Sequence, residues 1–328
     1  MPQVSVDQIE TVSRAALIVH GAGADQATHV ARAVARAEAT GNVICGLYYL
    51  ESYCLQLASG RVDGTVTPQV SQPRPGAVLA DARFGFAQPA FAAGFEPAVA
   101  AARTNGVATL AVAHAHTCTS LGYFTEQIAA QGLIGIGFTN ASPVVAPPGG
   151  HRAVIGTNPI AMTVPGPDRP LMHFDFSTSA VALGKITMAK AAGQAIPPGW
   201  AVDAGGQPTT DPDAALKGAL VSAGGYKGWG FGLMAEIMAA ALTGSVNSLD
   251  VTGLKLPDGP PHDLGQFYIL IDPGVHGDHL PSRFARIAEA VAQQEGTRIP
   301  GADRRVMDVV QVPDALWSLC LTLATPAA

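Results

Sequence analysis

The sequence predicts an α/β protein with a helical N-terminal unit, an α/β core and a small insertion poor in strands. Three observations carry that expectation. Helical periodicity without strands fills the first sixty residues. From Gly76 onward, helical patterns alternate with short apolar strands, the signature of an α/β core. Apolar residues make up 48% of 328 residues, enough to bury a sizeable core.

The elements follow in order. Ser5-Val-Asp-Gln8 has the form of a capping box ahead of a helix carrying Ile9, Val12, Ala16 and Leu17 on one side. Asp25 to Ala39 is an alanine-rich second helix, and Leu47 to Ala58 a third. Glycine, proline and threonine accumulate over Gly60–Gln72 and close this unit. Phe91–Asn105 reads as a helix, Val107–Ala113 as a strand, Gly122–Gln131 as a helix and Leu133–Thr139 as a strand. Two further strand-like segments, Ala153–Thr163 and Leu171–Phe176, flank a Pro/Gly/Asp turn at Pro165–Pro170. Ser179–Gly218 reads as a helical excursion with little strand character. Tyr226–Leu242 is one long apolar helix, Gly265–Ile271 the last core strand and Pro281–Gln294 a surface helix. The expected domains are therefore 1–75 joined by 300–328, an α/β domain over 76–180 and 219–299, and an inserted subdomain over 181–218.

Charge narrows the partners. Charged residues make up 13%, well under the usual ~25%, so part of the surface is expected to be covered in an oligomer. A net charge of −6 argues against nucleic acid or an anionic membrane as partner. Cys45, Cys54, Cys118 and Cys320 show no Cys-x-x-Cys spacing and read as reduced thiols, which points to the cytoplasm and to no metal site. The first residues lack a basic-then-apolar signal pattern, and no apolar run reaches membrane-spanning length. Gly21-Ala-Gly23 lacks the third glycine of a dinucleotide fingerprint and reads as a loop.

An ordered series of motifs runs through the chain: TNASP from Thr139, LGTNPIA-like IGTNPIA from Ile155, DFSTSAVALGK from Asp175, IPPGW at Ile196–Trp200, TTDP at Thr209–Pro212 and GGYKGWG at Gly224–Gly230. Each is weak alone. Together they resemble the malate/L-lactate/L-sulfolactate dehydrogenase family, which includes ureidoglycolate dehydrogenase and the piperideine- and pyrroline-2-carboxylate reductases. The likeness runs from about Val4 to Arg305. It implies a large mixed, mostly antiparallel sheet unlike a Rossmann fold, a reduced nicotinamide cofactor (NADPH or NADH), a small-molecule substrate and a homodimer.

The resemblance also implies where the site lies, and here the chain departs from the pattern. The family's Asp-Ser-His-Gly turn, whose histidine protonates the substrate, aligns with Val43-Ile44-Cys45-Gly46, and Tyr49 replaces the arginine that holds a carboxylate. The inserted subdomain offers Ala191-Ala192 where the imine reductases carry an aspartate, and Thr117 stands where ureidoglycolate dehydrogenase has its histidine. Cys45, Tyr49 and His116 are the candidate proton donors, with a small buried apolar residue as the plainer reading of Cys45. Ile44 and Thr157 fall at substrate-contacting positions, though Thr157 is equally readable as a threonine bonded to backbone.

The cofactor positions are better kept. Thr117, Ser120, Asp175, Phe176, Ser177, Tyr226, Lys227, Gly301 and Arg304 all fall on segments that the resemblance places against the dinucleotide. The glycines before Lys227 let a phosphate approach the backbone, and the helix N-terminus favours negative charge. The alternatives are a solvated helix-start lysine for Lys227 and a surface charge for Arg304. The function expected is an NAD(P)H-dependent reductase of a C=N or C=O bond with a rebuilt proton-donor site. A lyase, isomerase or cyclase on the same fold, or a non-catalytic nucleotide-binding relative, is the alternative.

Overall fold

A computed structural model describes residues 1–326. At its centre lies the strand Leu264–Ile271, paired on one side with Val107–Ala115 and on the other with Ile134–Thr139. The sheet has seven strands in the order Gln69–Arg74, Ala77–Asp81, Val107–Ala115, Leu264–Ile271, Ile134–Thr139, Ile160–Val164, Met172–Phe176. The Ala77–Asp81 and Val107–Ala115 pair is parallel, and the other neighbours are antiparallel. A parallel pair needs a long crossover, and the helix Ala87–Asn105 supplies it. The sheet is mixed and mostly antiparallel, as the motif series implied.

Side chains of a strand alternate between faces, and the central strand uses both. Tyr268 and Leu270 join Phe91, Leu110, Val112 and Phe124 in the largest core, roofed by the helices Ala87–Asn105 and Gly122–Ala130. The Phe91 ring lies 4.9 Å from Phe124 and 5.0 Å from Tyr268, both edge-on. The residues of opposite parity face the π turn Ile237–Ala241 that continues the helix Tyr226–Glu236. Gly265 permits this approach, because a Cβ there would fall on the Ala239 carbonyl.

A second core belongs to the helices Val6–Val19, Ala24–Ala39, Leu50–Ala58 and Asp314–Leu323. The capping box forms as its pattern predicts: Gln8 N donates to Ser5 Oγ at 3.2 Å, and Ser5 N donates to Gln8 Oε1 at 3.0 Å. The C-terminal segment closes this unit by pairing Val309–Gln311 with Gln3–Ser5.

Several local expectations are corrected. The third helix begins at Leu50, and two 3-10 turns, Val43–Cys45 and Leu47–Tyr49, precede it. The Ala153–Thr163 segment is a strand only from Ile160 to Val164. Pro159 has no N–H for a ladder, and Asn158 sits at φ 34° just before it. The insertion is not purely helical: Ala201–Val202, Pro208–Thr209 and Ala219–Leu220 form a three-stranded sheet beside the helices Leu183–Ala191 and Pro212–Lys217. Gln69–Arg74 is an exposed edge strand whose Pro73 and polar side chains hid it from a pattern reading.

Candidate active site

The turn Val43–Cys45 is held from below by a buried carboxylate. Glu38, on the helix Ala24–Ala39, accepts a 2.7 Å hydrogen bond from Leu47 N. Burial raises its carboxyl above the usual range, and the Leu47 bond opposes that. Gly46 is required beside it, because a Cβ there would collide with the Glu38 side chain. This arrangement turns Ile44 outward, 54% exposed, and leaves Cys45 half-buried and Tyr49 8% exposed.

Cys45 faces a polar cluster. Burial pushes its thiol up to about 12, and the nearby Asp175 carboxyl pushes in the same direction; a hydrogen bond with Asn42 and the Lys255 charge oppose this. Asn42 Nδ2 donates to Ser120 Oγ at 3.2 Å, and Ser120 Oγ donates to Asp175 Oδ2 at 3.5 Å. Asp175 Oδ2 also accepts from Gly122 N at 2.8 Å, at the start of the helix Gly122–Ala130, where an anion is favoured. Burial nevertheless raises Asp175 to about 6, with those hydrogen bonds pulling it down. Three separate stretches, around Cys45, Ser120 and Asp175, are thus brought together.

Tyr49 spends its hydroxyl elsewhere, donating to Leu254 O at 3.4 Å. Burial raises its phenol further above the usual range, with the Cys45 charge adding to it. His116 is enclosed among Tyr53, Phe86 and His262, its ring stacked 3.9 Å from that of His262. It is 2% exposed, and its Nε2 pairs with Gln56 Oε1 at 2.7 Å. Burial, then the His262 and Arg61 charges, hold it well below the ordinary imidazole range, so it stays neutral. Thr117 is buried next to it and donates its N–H to His262 Nδ1 at 3.3 Å. Of the three candidate donors, Cys45 is the one half-open to the cluster.

A second group of predicted residues meets on the other side of Asp175. Phe176 is 58% exposed and stacks on Phe174 at 5.0 Å. Ser177 and Ser179 share a 3.2 Å hydroxyl contact. Thr157 contributes its carbonyl, which accepts from Thr178 N at 2.9 Å and from Thr178 Oγ1 at 3.1 Å. Thr178 O in turn accepts from Ala223 N at 2.9 Å, tying this stretch to the glycine turn. That turn uses positive φ at Gly224 (68°) and Gly225 (63°) to open the helix Tyr226–Glu236. Tyr226 is 80% exposed and Lys227 is exposed beside it, so a cation and free N–H groups stand together at a helix start. These features fit the phosphates of a dinucleotide.

Gly301 adopts φ 81° against the strand Met172–Phe176, with His173 N donating to Pro300 O at 3.0 Å. Arg304 does not stand free. It pairs closely with Glu126, which Arg36 also contacts at 2.9 Å and His173 at 3.7 Å. Burial, then the Arg36 charge, lower Arg304 to about 10. Two arginines on one carboxylate leave this corner with a net positive charge.

The sequence reading missed Asn42, Arg61 and Lys255. Arg61 is 2% exposed and donates to the carbonyls of Gly253 (3.0 Å), Leu256 (2.6 Å) and Pro260 (3.0 Å) and to Thr252 Oγ1 (2.6 Å). It holds the 251–260 loop, which carries Lys255 back to Tyr48 and Tyr49. Nothing local in TGLKLPDGPP marks a site residue. Among the described residues no cluster of His, Cys, Asp and Glu could hold a metal, and no helix is long and apolar enough to cross a membrane.

Residues 4–308 match the family model described as malate/L-lactate dehydrogenase. The chain is 36% identical over 318 residues to a (2R)-3-sulfolactate dehydrogenase (NADP(+)) of Chromohalobacter salexigens, covering 95% of each chain. It is 38% identical over 304 residues to a Δ1-pyrroline-2-carboxylate/Δ1-piperideine-2-carboxylate reductase of Pseudomonas putida, covering 92% of this chain and 89% of that one. Among solved structures, Δ1-piperideine-2-carboxylate reductase from Pseudomonas syringae superposes with a TM-score of 0.91 at 33% identity, over 98% of this chain and all of that one. Sulfolactate dehydrogenase from Methanocaldococcus jannaschii gives 0.89 at 26% identity, over 98% of this chain and 96% of that one.

Proposed function

The chain belongs to the malate/L-lactate dehydrogenase family, and from that premise we propose that it is an NAD(P)H-dependent reductase of a cyclic C=N bond. One observation carries the choice of imine over ketone. The side chain at the position of the proton donor is a thiol whose acidity burial suppresses to about 12. A group so far from neutrality is a poor general acid, because efficiency is greatest when the pKa lies near the working pH. A cyclic imine takes its proton from solvent before reduction and arrives as an iminium, so the enzyme need not supply that proton. A ketone must be protonated as it is reduced.

When bound, the reduced nicotinamide supplies the hydride. Lys227 and the N–H groups after Gly225 would hold its phosphates. Ser177, Ser179 and the exposed Phe176 would line its path toward Asp175. Ser120 and Asn42 hold the Asp175 carboxyl beside Cys45, which gives an iminium a negative neighbour. An iminium given a hydride at carbon would take the C=N π pair onto nitrogen and leave as the cyclic amine, so no side chain of this site would have to supply a proton. The Tyr49 and Ile44 side chains shed water from this space. The relatives named above are dehydrogenases and reductases, which favours redox chemistry over a lyase, isomerase or cyclase.

Following NADPH and NADH oxidation with a panel of cyclic imines and 2-keto acids tests the reaction. The cyclic imines are expected to be reduced at least ~10²-fold more efficiently than pyruvate or oxaloacetate, the lower bound for a missing general acid. Equal efficiency for pyruvate or oxaloacetate overturns the reading.

A cytoplasmic homodimer is part of the same proposal. Four free cysteines, three of them buried, suit a reducing compartment. Val43, Ile44, Tyr48 and Leu256 are all more than half exposed around the site, an apolar rim that a second copy would cover. Light scattering is expected to give about twice the 33.5 kDa chain mass; the mass of a single chain at micromolar concentration rules the dimer out.

A further inference from the structure

Lys255 occupies a place that surface lysines do not ordinarily take. Its Nζ lies 3.6 Å from the centroid of the Tyr48 ring and 4.8 Å from that of Tyr49, within cation–π range of both. It is absent from the ion pairs among the described residues. The loop that presents it is secured on both sides of the lysine. Arg61 binds the carbonyls of Gly253 and Leu256, Gln56 Nε2 donates to Leu254 O at 2.9 Å and to Leu256 O at 2.7 Å, and Tyr49 donates to Leu254 O. The ammonium and the Cys45 thiol lie close enough to affect each other's protonation.

We propose that Lys255 is the substrate-anion residue of this site, a cation delivered from the 251–260 loop over the aromatic wall of Tyr48 and Tyr49. The substrate it selects is a cyclic imine bearing a carboxylate beside the C=N carbon. Tyr49 is then the support of the cation. Its ring face holds the ammonium by its quadrupole, and its hydroxyl fixes the loop backbone at the residue before the lysine. Lys255 is exposed overall, and the partial burial of its ammonium lowers its pKa, which the Cys45 and Glu51 charges counter. The iminium nitrogen and the carboxylate thereby meet opposite partners, Asp175 at one end and Lys255 at the other, which fixes the orientation of the ring between them. This inference rests on the imine-reductase reading above.

Its test does not depend on turnover. The NADPH-loaded protein is titrated calorimetrically with pyrrole-2-carboxylate, a planar and unreactive ring acid, and with the neutral pyrrole-2-carboxamide. Wild type, Lys255→Met and Lys255→Arg are compared, with melting temperatures as the folding control. Lys255→Met is expected to weaken the carboxylate by 10- to 100-fold, roughly the range for losing one charge-assisted contact, and to change the carboxamide by less than about twofold. Lys255→Arg retains the carboxylate within about threefold, since it keeps the charge. Carboxylate affinity unchanged in Lys255→Met, both ligands weakened alike, or no carboxylate binding by wild type each overturns the assignment. The two readings separate cleanly. Selective carboxylate binding without reduction of any imine defeats the proposed reaction and leaves Lys255 in its role. Imine reduction indifferent to Lys255→Met does the reverse.

Discussion

A variant carrying Ile44→Ser, Cys45→His, Tyr49→Arg and Lys255→Met is expected to reduce 2-keto acids such as pyruvate about 10²–10⁴-fold more efficiently than the native protein, the usual span of general acid catalysis. The gain follows from the site as it stands. Cys45 holds a proton that burial makes hard to give, whereas an imidazole near pKa 6.5 matches neutral chemistry. Ile44 is more than half exposed, so a serine there costs little packing. The fourth change comes from the structure. A guanidinium at position 49 would stand against the Lys255 ammonium, now 4.8 Å from the Tyr49 ring, and two unpaired cations at that range repel. Without Lys255→Met the triple variant should show a smaller gain. The measurement is the ratio of keto-acid to cyclic-imine kcat/KM in both variants and wild type. A ratio that fails to rise tenfold shows that position 45 does not govern protonation, and attention then passes to Asp175.

Arg61→Ala is expected to destabilise the protein by about 2–5 kcal/mol, the range for leaving two buried polar groups without their donor. The guanidinium is 2% exposed and makes four hydrogen bonds, all to the 252–260 segment. Alanine would strand the Pro260 carbonyl and the Thr252 hydroxyl, each buried orphan costing about 1–3 kcal/mol, and would leave the Gly253 and Leu256 carbonyls to Leu256 N and Gln56 Nε2 alone. Lysine at this position should recover only part of the loss. It keeps a charge but lacks the planar fork that reaches four acceptors. Urea denaturation of wild type, Arg61→Ala and Arg61→Lys reads the effect, and a loss under about 1 kcal/mol for alanine contradicts it. A released loop should also weaken carboxylate-ring binding, because Lys255 would no longer be held over Tyr48.

Much of the fold was legible because it rests on local rules. The capping box at Ser5–Gln8, the strand Gly265–Ile271 within an observed Leu264–Ile271 and the helix ending at Asn105 ahead of Gly106 are all short-range patterns. The misreadings share a cause. Gln69–Arg74 is an edge strand exposed on every residue, so it carries no alternation to detect. The strand pieces at Ala201–Val202 and Ala219–Leu220 are two residues each, below the length at which periodicity has meaning. Leu47–Tyr49 reads as the start of the third helix, but the buried Glu38 carboxylate captures Leu47 N and these residues form a 3-10 turn instead.

By itself the sequence determined the α/β class, the series of motifs and the replacement of the turn at Val43–Gly46, because each is a property of residues adjacent in the chain. Only the tertiary structure decided what the replacements do. It joined Cys45, Ser120 and Asp175 from three segments, enclosed His116 behind Tyr53 and Phe86, turned Arg304 onto Glu126, and brought Lys255 over Tyr49 across more than two hundred residues. Electrostatics and solvent exclusion act through space over a few ångströms, and separation along the chain says nothing about which charges will share that distance.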